Sequence, residues 1–201
     1  MAESLLEIEV KFFVPTVEPF RAKLLALGAT LGQKRVFERN LLLDTPDQQL
    51  RQAEQVLRLR QDRAVRLTFK NKPIQHDEMK VREEIEMEVG DLETAVILFN
   101  RLGYHPQLIY EKYRETYHLG TAEIVLDELP YGDFIEIEGE EGDIRRVADG
   151  MGLEWNGRLA HNYLQLMQQL KQHHTLPFND LTFANFANLN ISIADVVGRG
   201  G

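Results

Sequence analysis

From residue 5 to about residue 140, apolar and polar side chains alternate with a period of two, the signature of strands with two unlike faces. Leu6, Ile8, Val10 and Phe12 alternate with Glu7, Glu9 and Lys11. Leu57 and Leu59 alternate with Arg58 and Arg60, and Val65, Leu67 and Phe69 with Arg66, Thr68 and Lys70. Val81, Ile85, Met87 and Val89 face away from Arg82, Glu84, Glu86 and Glu88; Tyr113 and Tyr117 oppose Lys112 and Arg114; Ile135 and Ile137 oppose Glu136 and Glu138. Residues 123–129 are less regular and read as a strand ending at a turn around Pro130 and Gly132. Helical spacing appears at 17–27, behind a Thr16 N-cap with Pro19 in the first turn and Gly28 at the end. It returns at 92–102, behind Asp91 and ending at Gly103. A third, amphipathic helix carries Leu159, Tyr163, Leu166, Met167 and Leu170, and a weaker one is expected at about 142–151. A shift of 75 residues lays Glu84 on Glu9, Leu102-Gly103 on Leu27-Gly28 and Arg114 on Arg39, a faint repeat of strand, capped helix and strand.

One strand with a charged face is ordinary, because the solvated side of an antiparallel sheet reads the same way. Here strand after strand carries fully ionised residues, although strand propensity disfavours Glu and Lys. Residues i and i+2 of a strand share a face, so Glu7/Glu9 and Glu136/Glu138 each present two carboxylates side by side. Such pairs repel unless a cation lies between them, and hard oxygen ligands suit Mg²⁺ or Mn²⁺; Asp127 is a further candidate ligand. Lys11, Arg58, Arg60, Lys70, Lys112 and Arg114 share the polar parity. Fixed guanidinium and ammonium groups beside a divalent cation are what a polyphosphate needs.

The 201 residues include 23 Lys+Arg and 32 Asp+Glu, a net charge of −9. That length suits one domain, and the acidic balance argues against a general nucleic-acid binder. With no cysteine, disulfides and thiolate metal sites are excluded, and a cytoplasmic protein is the expectation. No apolar run reaches the roughly 18 residues of a membrane span, and the first residues lack the basic leader of a signal peptide. The named polar faces hold six principal basic positions against five acidic ones, so the excess acid belongs to helices and turns such as Glu140-Glu141. His161, His173 and His174 read as surface histidines, His118 as a strand-end histidine, and Trp155 and Tyr163 as packing residues. No phosphate-cradling glycine loop and no anchored Ser/His/Asp set occurs.

Glu7-Ile8-Glu9-Val10-Lys11 has the ExExK form of the CYTH superfamily, the triphosphate tunnel metalloenzymes. The ordered segments NLLLDTP (40–46), VLRLR (56–60), LTFK (67–70), REEIE (82–86), EKYRE (111–115), LDE (126–128) and FIEIE (134–138) strengthen the resemblance over about residues 4–170. That group includes class IV adenylyl cyclases, thiamine triphosphatases and inorganic triphosphatases. The resemblance implies an α+β fold: an antiparallel eight-stranded barrel closed into a tunnel, charged faces inward and helices outside. It implies metal ligation by Glu7, Glu9, Asp127, Glu136 and Glu138. Triphosphate binding falls to Lys11, Arg58, Arg60, Lys70 and Arg114, with Lys112 and Arg82 as further candidates. Glu9, Lys11 and Glu84 are the catalytic candidates; Glu84 and Glu86 match acidic positions that could serve metal, base or structure. The implied activity is metal-dependent hydrolysis of a small-molecule triphosphate (inorganic, thiamine or nucleoside triphosphate), with cyclisation of ATP as the alternative and polyphosphate binding without turnover as a third reading, by a monomer or homodimer that binds neither nucleic acid nor membrane. The chain departs from relatives at Asn162-Tyr163, where many have Ser-Tyr. Residues 1–171 are expected to form the tunnel domain and 172–201, rich in Asn and Phe, a tail that is mobile by default, with docking through Phe178, Phe183 and Phe186 as the alternative.

Overall fold

The computed structural model describes residues 6–76, 79–159 and 163–197. The elements run β1 (Leu6–Val14), α1 (Glu18–Ala26), β2 (Thr30–Asp44), α2 (Gln49–Gln52), β3 (Val56–Gln61), β4 (Val65–Lys70), β5 (Ile74–His76), β6 (Met79–Val89), α3 (Leu92–Arg101), β7 (His105–Leu119), β8 (Ala122–Leu129), β9 (Gly132–Glu138) and α4 (Glu141–Met151). A 3-10 turn (Trp155–Gly157), α5 (Tyr163–His174), α6 (Phe183–Phe186) and α7 (Ala194–Val197) follow. Asp91 caps α3, accepting from the Thr94 amide at 2.7 Å. α1 starts differently from expectation: Val17 occupies the N-cap without a side-chain bond, and Thr16 accepts only a long 3.4 Å contact from the Glu18 amide. Gly28 (φ +87°) and Gly103 (φ +90°) end the two helices in the left-handed region where a Cβ is costly.

All strand pairings are antiparallel, in the order β1-β9-β8-β7-β2-β3-β4-β6, and β6 pairs back onto β1, closing eight strands into one ring; the three-residue β5 extends β6 outside it. Closure leaves every strand of the ring paired on both sides along some of its length, although β8 does not reach the first half of β7. The order is unchanged when β1–β4 are exchanged for β6–β9, so the ring is built from two like halves. The 75-residue shift describes this only in part. It carries Glu9 onto Glu84, which share the inner face, but Arg39 is exposed whereas Arg114 points into the cavity. Register shifts between β2 and β7 break the phase.

Helices supply the outer layer because each inward-charged strand must bury its other face. Ile144, Val147, Ala148 and Met151 of α4, spaced as one helical stripe, are fully buried against β1, β8 and β9. Each large side chain so buried contributes about 2 kcal/mol. α3 lays Leu92 and Ala95 over Leu41, Leu59 and Val65. The cover is incomplete: Ile85 (48% exposed) and Met87 (57%) remain open on the outer face of β6. Beyond Lys171, α5 continues to His174, and Leu176, Leu181, Phe186 and Ile193 join Tyr110, Tyr131, Phe134 and Leu166 in one buried cluster. Residues 175–197 are therefore packed onto the ring. No helix among the described residues is long and apolar enough to cross a membrane.

Candidate active site: a charged cavity inside the ring

The inner faces of the strands enclose a cavity of about 350 Å³. Glu9 and Lys11 reach it from β1, Arg58 and Arg60 from β3, Lys70 from β4, and Arg82, Glu84 and Glu86 from β6. β7 contributes Tyr110, Lys112 and Arg114, β8 Glu123 and Val125, and β9 Glu136 and Glu138. Period-two alternation puts them there: each strand gives alternate residues to one face, and closure makes that face the inside. Seven cationic side chains face six carboxylates across the lining.

These charges sort into two groups. In the first, Arg114 forks onto Asp127 (Nε–Oδ1 2.7 Å, Nη2–Oδ2 2.5 Å) and reaches Glu136 at 2.7 Å. Lys112 donates to Asp127 at 2.8 Å and lies 3.7 Å from the buried Glu38; Lys11 meets Glu136 at 2.6 Å. Tyr163 donates its hydroxyl to Asp127 at 2.9 Å, and the Lys11 ammonium sits 3.9 Å from the centre of its ring. Burial by itself would raise the Asp127 carboxyl, but Arg114 and Lys112 outweigh it and hold it low. Burial is likewise outweighed at Glu136, where Lys11 and Arg114 keep the carboxyl well below the usual range. Lys11, against the pull of burial, is held charged by Glu136 and Glu9. In this group Lys11, Lys112 and Arg114 each have a close carboxylate partner, and Asp127 and Glu136 are held by two cations or more.

The second group is looser. Arg60 donates to Glu86 at 3.1 Å, Lys70 pairs with Glu84, and Arg58 lies 3.8 Å from Glu84 while donating to Thr68 at 3.2 Å and Tyr110 at 3.4 Å. Glu9 and Glu138 are direct partners in the β1–β9 register, and Glu138 in turn faces Glu123 across β8–β9. Burial, followed by repulsion from Glu123 and Glu9, pushes the Glu138 carboxyl up to about 7, and Lys70 offsets this only in part. Glu138 is thus an under-neutralised carboxylate with two further carboxylates, Glu9 and Glu123, as its direct strand neighbours, an oxygen-rich corner chemically suited to a hard cation. Among the described residues no three acidic or histidine side chains have already converged to ligand geometry.

Most of the expected site residues meet in this cavity. Asp127 is the exception: it is fully buried beneath Lys112, Arg114 and Tyr163 and does not line the cavity. Glu7 pairs with Arg82 along the backbone, while its side chain lies outside the described residues, as do His161 and Asn162. Sequence reasoning missed Glu123, although it shares strand parity with Asp127. It also missed Glu38, which shares parity with Asn40, and the cavity-facing hydroxyls of Tyr110 and Tyr163. Tyr163 reads as core by helical spacing, and only the approach of α5 to Asp127 shows its second contact.

A closed antiparallel ring with a cationic and carboxylate interior defines a binding protein or enzyme for a small polyanion. The CYTH domain family model matches residues 5–167, and the chain belongs to that family. It is 28% identical over 142 residues, 70% of this chain and 80% of the other, to a protein of Methanocaldococcus jannaschii named "Putative adenylate cyclase". A solved structure of a Pyrococcus horikoshii protein superposes with a TM-score of 0.68 at 28% identity, covering 78% of this chain and 96% of that one. A Hippeastrum protein, described as a "putative adenylyl cyclase" with a dominant triphosphatase activity, superposes at 0.61 with 18% identity, over 81% of this chain and 95% of its own.

Proposed function

We propose that the protein is a metal-dependent triphosphatase, hydrolysing the terminal anhydride bond of a triphosphate held inside the ring. The observation that carries this reading is the coexistence, in one cavity, of seven cationic side chains with a buried carboxylate, Glu138, that lacks enough positive charge around it and has Glu9 and Glu123 as strand neighbours. A module that only bound phosphate would be weakened by such carboxylates, since like charges at close range repel.

Arg58, Arg60, Lys70 and Arg82 lie on adjacent strands and would grip phosphate oxygens, guanidinium forks setting their orientation. Lys11, Lys112 and Arg114 are already held in place by Asp127 and Glu136, so they bind without further ordering. Glu9 and Glu138, with Glu123 beside Glu138, are the residues that would hold Mg²⁺ or Mn²⁺. The cation supplies charge neutralisation of the phosphate oxygens. Glu84, pinned by Lys70 beside Arg58, is positioned to take the proton of the attacking water. No covalent intermediate is required.

The name carried by the M. jannaschii relative supports a second reading, the conversion of ATP to cyclic AMP and pyrophosphate in the same cavity. One product assay separates the two. The protein is incubated with tripolyphosphate, thiamine triphosphate or ATP, with and without Mg²⁺ or Mn²⁺. Orthophosphate is the expected product; cyclic AMP with pyrophosphate from ATP establishes the cyclase instead, and no turnover of any triphosphate refutes both.

A further inference from the structure

The family match ends at residue 167, yet a residue well beyond it lines the cavity: Leu181, fully buried. Its position follows from a gap in the ring. β7 spans His105–Leu119, but β8 pairs with it only from Tyr113 to Leu119, leaving the first half of β7 with β2 on one side and no strand of the ring on the other. The C-terminal segment fills that side. The Leu181 amide donates to the Ile109 carbonyl at 2.8 Å and the Glu111 amide donates to the Leu181 carbonyl at 2.9 Å, a parallel bridge centred on Tyr110. Asp180 accepts from the Ile109 amide at 2.9 Å, and Glu111 accepts from the Phe183 amide at 3.0 Å. Phe186 locks the segment from outside, against Phe178 and Tyr131.

We propose that this segment is part of the tunnel wall and that Leu181 determines substrate choice, closing the side on which an organic group would project and leaving unsubstituted tripolyphosphate as the preferred substrate. Leu181 completes an apolar sector with Leu42, Val56 and Tyr110. Charged phosphates gain nothing there, and burying them against it unpaired is costly. A cavity of about 350 Å³ lies at the low end of the roughly 300–1,000 Å³ typical of small-molecule sites. Among the described lining residues the polar groups are ionised side chains and two tyrosine hydroxyls, with no side-chain amide or aliphatic hydroxyl to read the edge of a base. With the segment seated, Leu181 occupies the side of the cavity beside the first half of β7, and the described lining offers ionised partners for a phosphate chain but no side-chain amide or aliphatic hydroxyl for a base.

This inference rests on the triphosphatase reading, and its test keeps the two apart. kcat/KM is measured for tripolyphosphate and for ATP in the wild-type chain, in Leu181→Ala, and in Phe186→Ala, which loosens the segment without touching the cavity. The ratio of ATP to tripolyphosphate is expected to rise at least tenfold in both variants. Leu181→Val, a smaller perturbation to folding, is expected to move it twofold or more in the same direction. Calorimetric binding of the two compounds reads the same preference without turnover, so a wild-type protein that hydrolyses neither still tests the wall. An unchanged ratio overturns the proposal. So does a selective loss of ATP binding in Leu181→Ala, since Leu181 would then be a contact for the organic group.

Discussion

Replacing Glu138 by Gln removes the most strained charge in the cavity, and the consequence for stability has a definite sign. The Glu138 carboxyl is pushed from the ordinary glutamate range to about 7 by burial, Glu123 and Glu9. Because its folded-state affinity for the proton exceeds the unfolded one, the folded protein holds the extra proton between about pH 4.5 and 7. Stability from this group is therefore full below that window and lost as the pH rises through it. The displacement corresponds to roughly 3 kcal/mol of penalty at pH 8. For a chain of this size, that is about 6–12 °C in Tm. Thermal unfolding of the wild type and Glu138→Gln, at pH 5 and pH 8 and without divalent cations, measures it. The variant is expected to match the wild type at pH 5 and to exceed it at pH 8. Mg²⁺ or Mn²⁺ is expected to raise the wild-type Tm at pH 8 and leave the variant nearly unmoved, since binding to the folded state alone stabilises by mass action. A variant no more stable than the wild type at pH 8 without metal would refute the view that this carboxylate is under-neutralised.

Four further outcomes follow from the same geometry. Glu9→Gln is expected to abolish metal-dependent turnover while circular dichroism stays native; near-normal phosphate release would remove Glu9 from the metal site. Asp127→Asn leaves the buried Lys112 with only the more distant Glu38 and Arg114 with Glu136, and denaturant titration should show a loss of about 3–5 kcal/mol. Tyr163→Phe deletes one hydrogen bond to a buried carboxylate and should cost about 1–3 kcal/mol in the same titration. Arg58→Met should weaken tripolyphosphate binding tenfold or more by calorimetry, with a smaller dependence on salt than the wild type shows.

Much of the cavity was legible in the chain because strand parity is local. Glu9 and Lys11, Arg58 and Arg60, and Glu136 and Glu138 share a face wherever their strands go, and the stops at Gly28 and Gly103 are equally local. The net charge of −9 pointed away from anionic partners, yet the inward face carries a slight excess of cationic side chains. Parity could not show which face would be enclosed, or which acid would answer which base. Asp127 reads as a ligand in sequence, but pairing across β7 and β8 turns it into the buried counter-charge of Lys112 and Arg114. Glu138 has the same residue type and a similar strand position, but register places it between Glu9 and Glu123. Arg39 and Arg114 align by number and point opposite ways, because bulges between β2 and β7 change phase without leaving a mark in composition. The C-terminal segment has no periodicity from which its seat could be read; the half-vacant side of β7 determines it. The sequence by itself determined the ionised face of each strand and the ends of its helices. Closure of the ring was legible only through the family resemblance of the ordered motifs; the partners of each charge and the residue that walls the cavity were decided by the tertiary structure, since both depend on contacts between segments far apart in the chain.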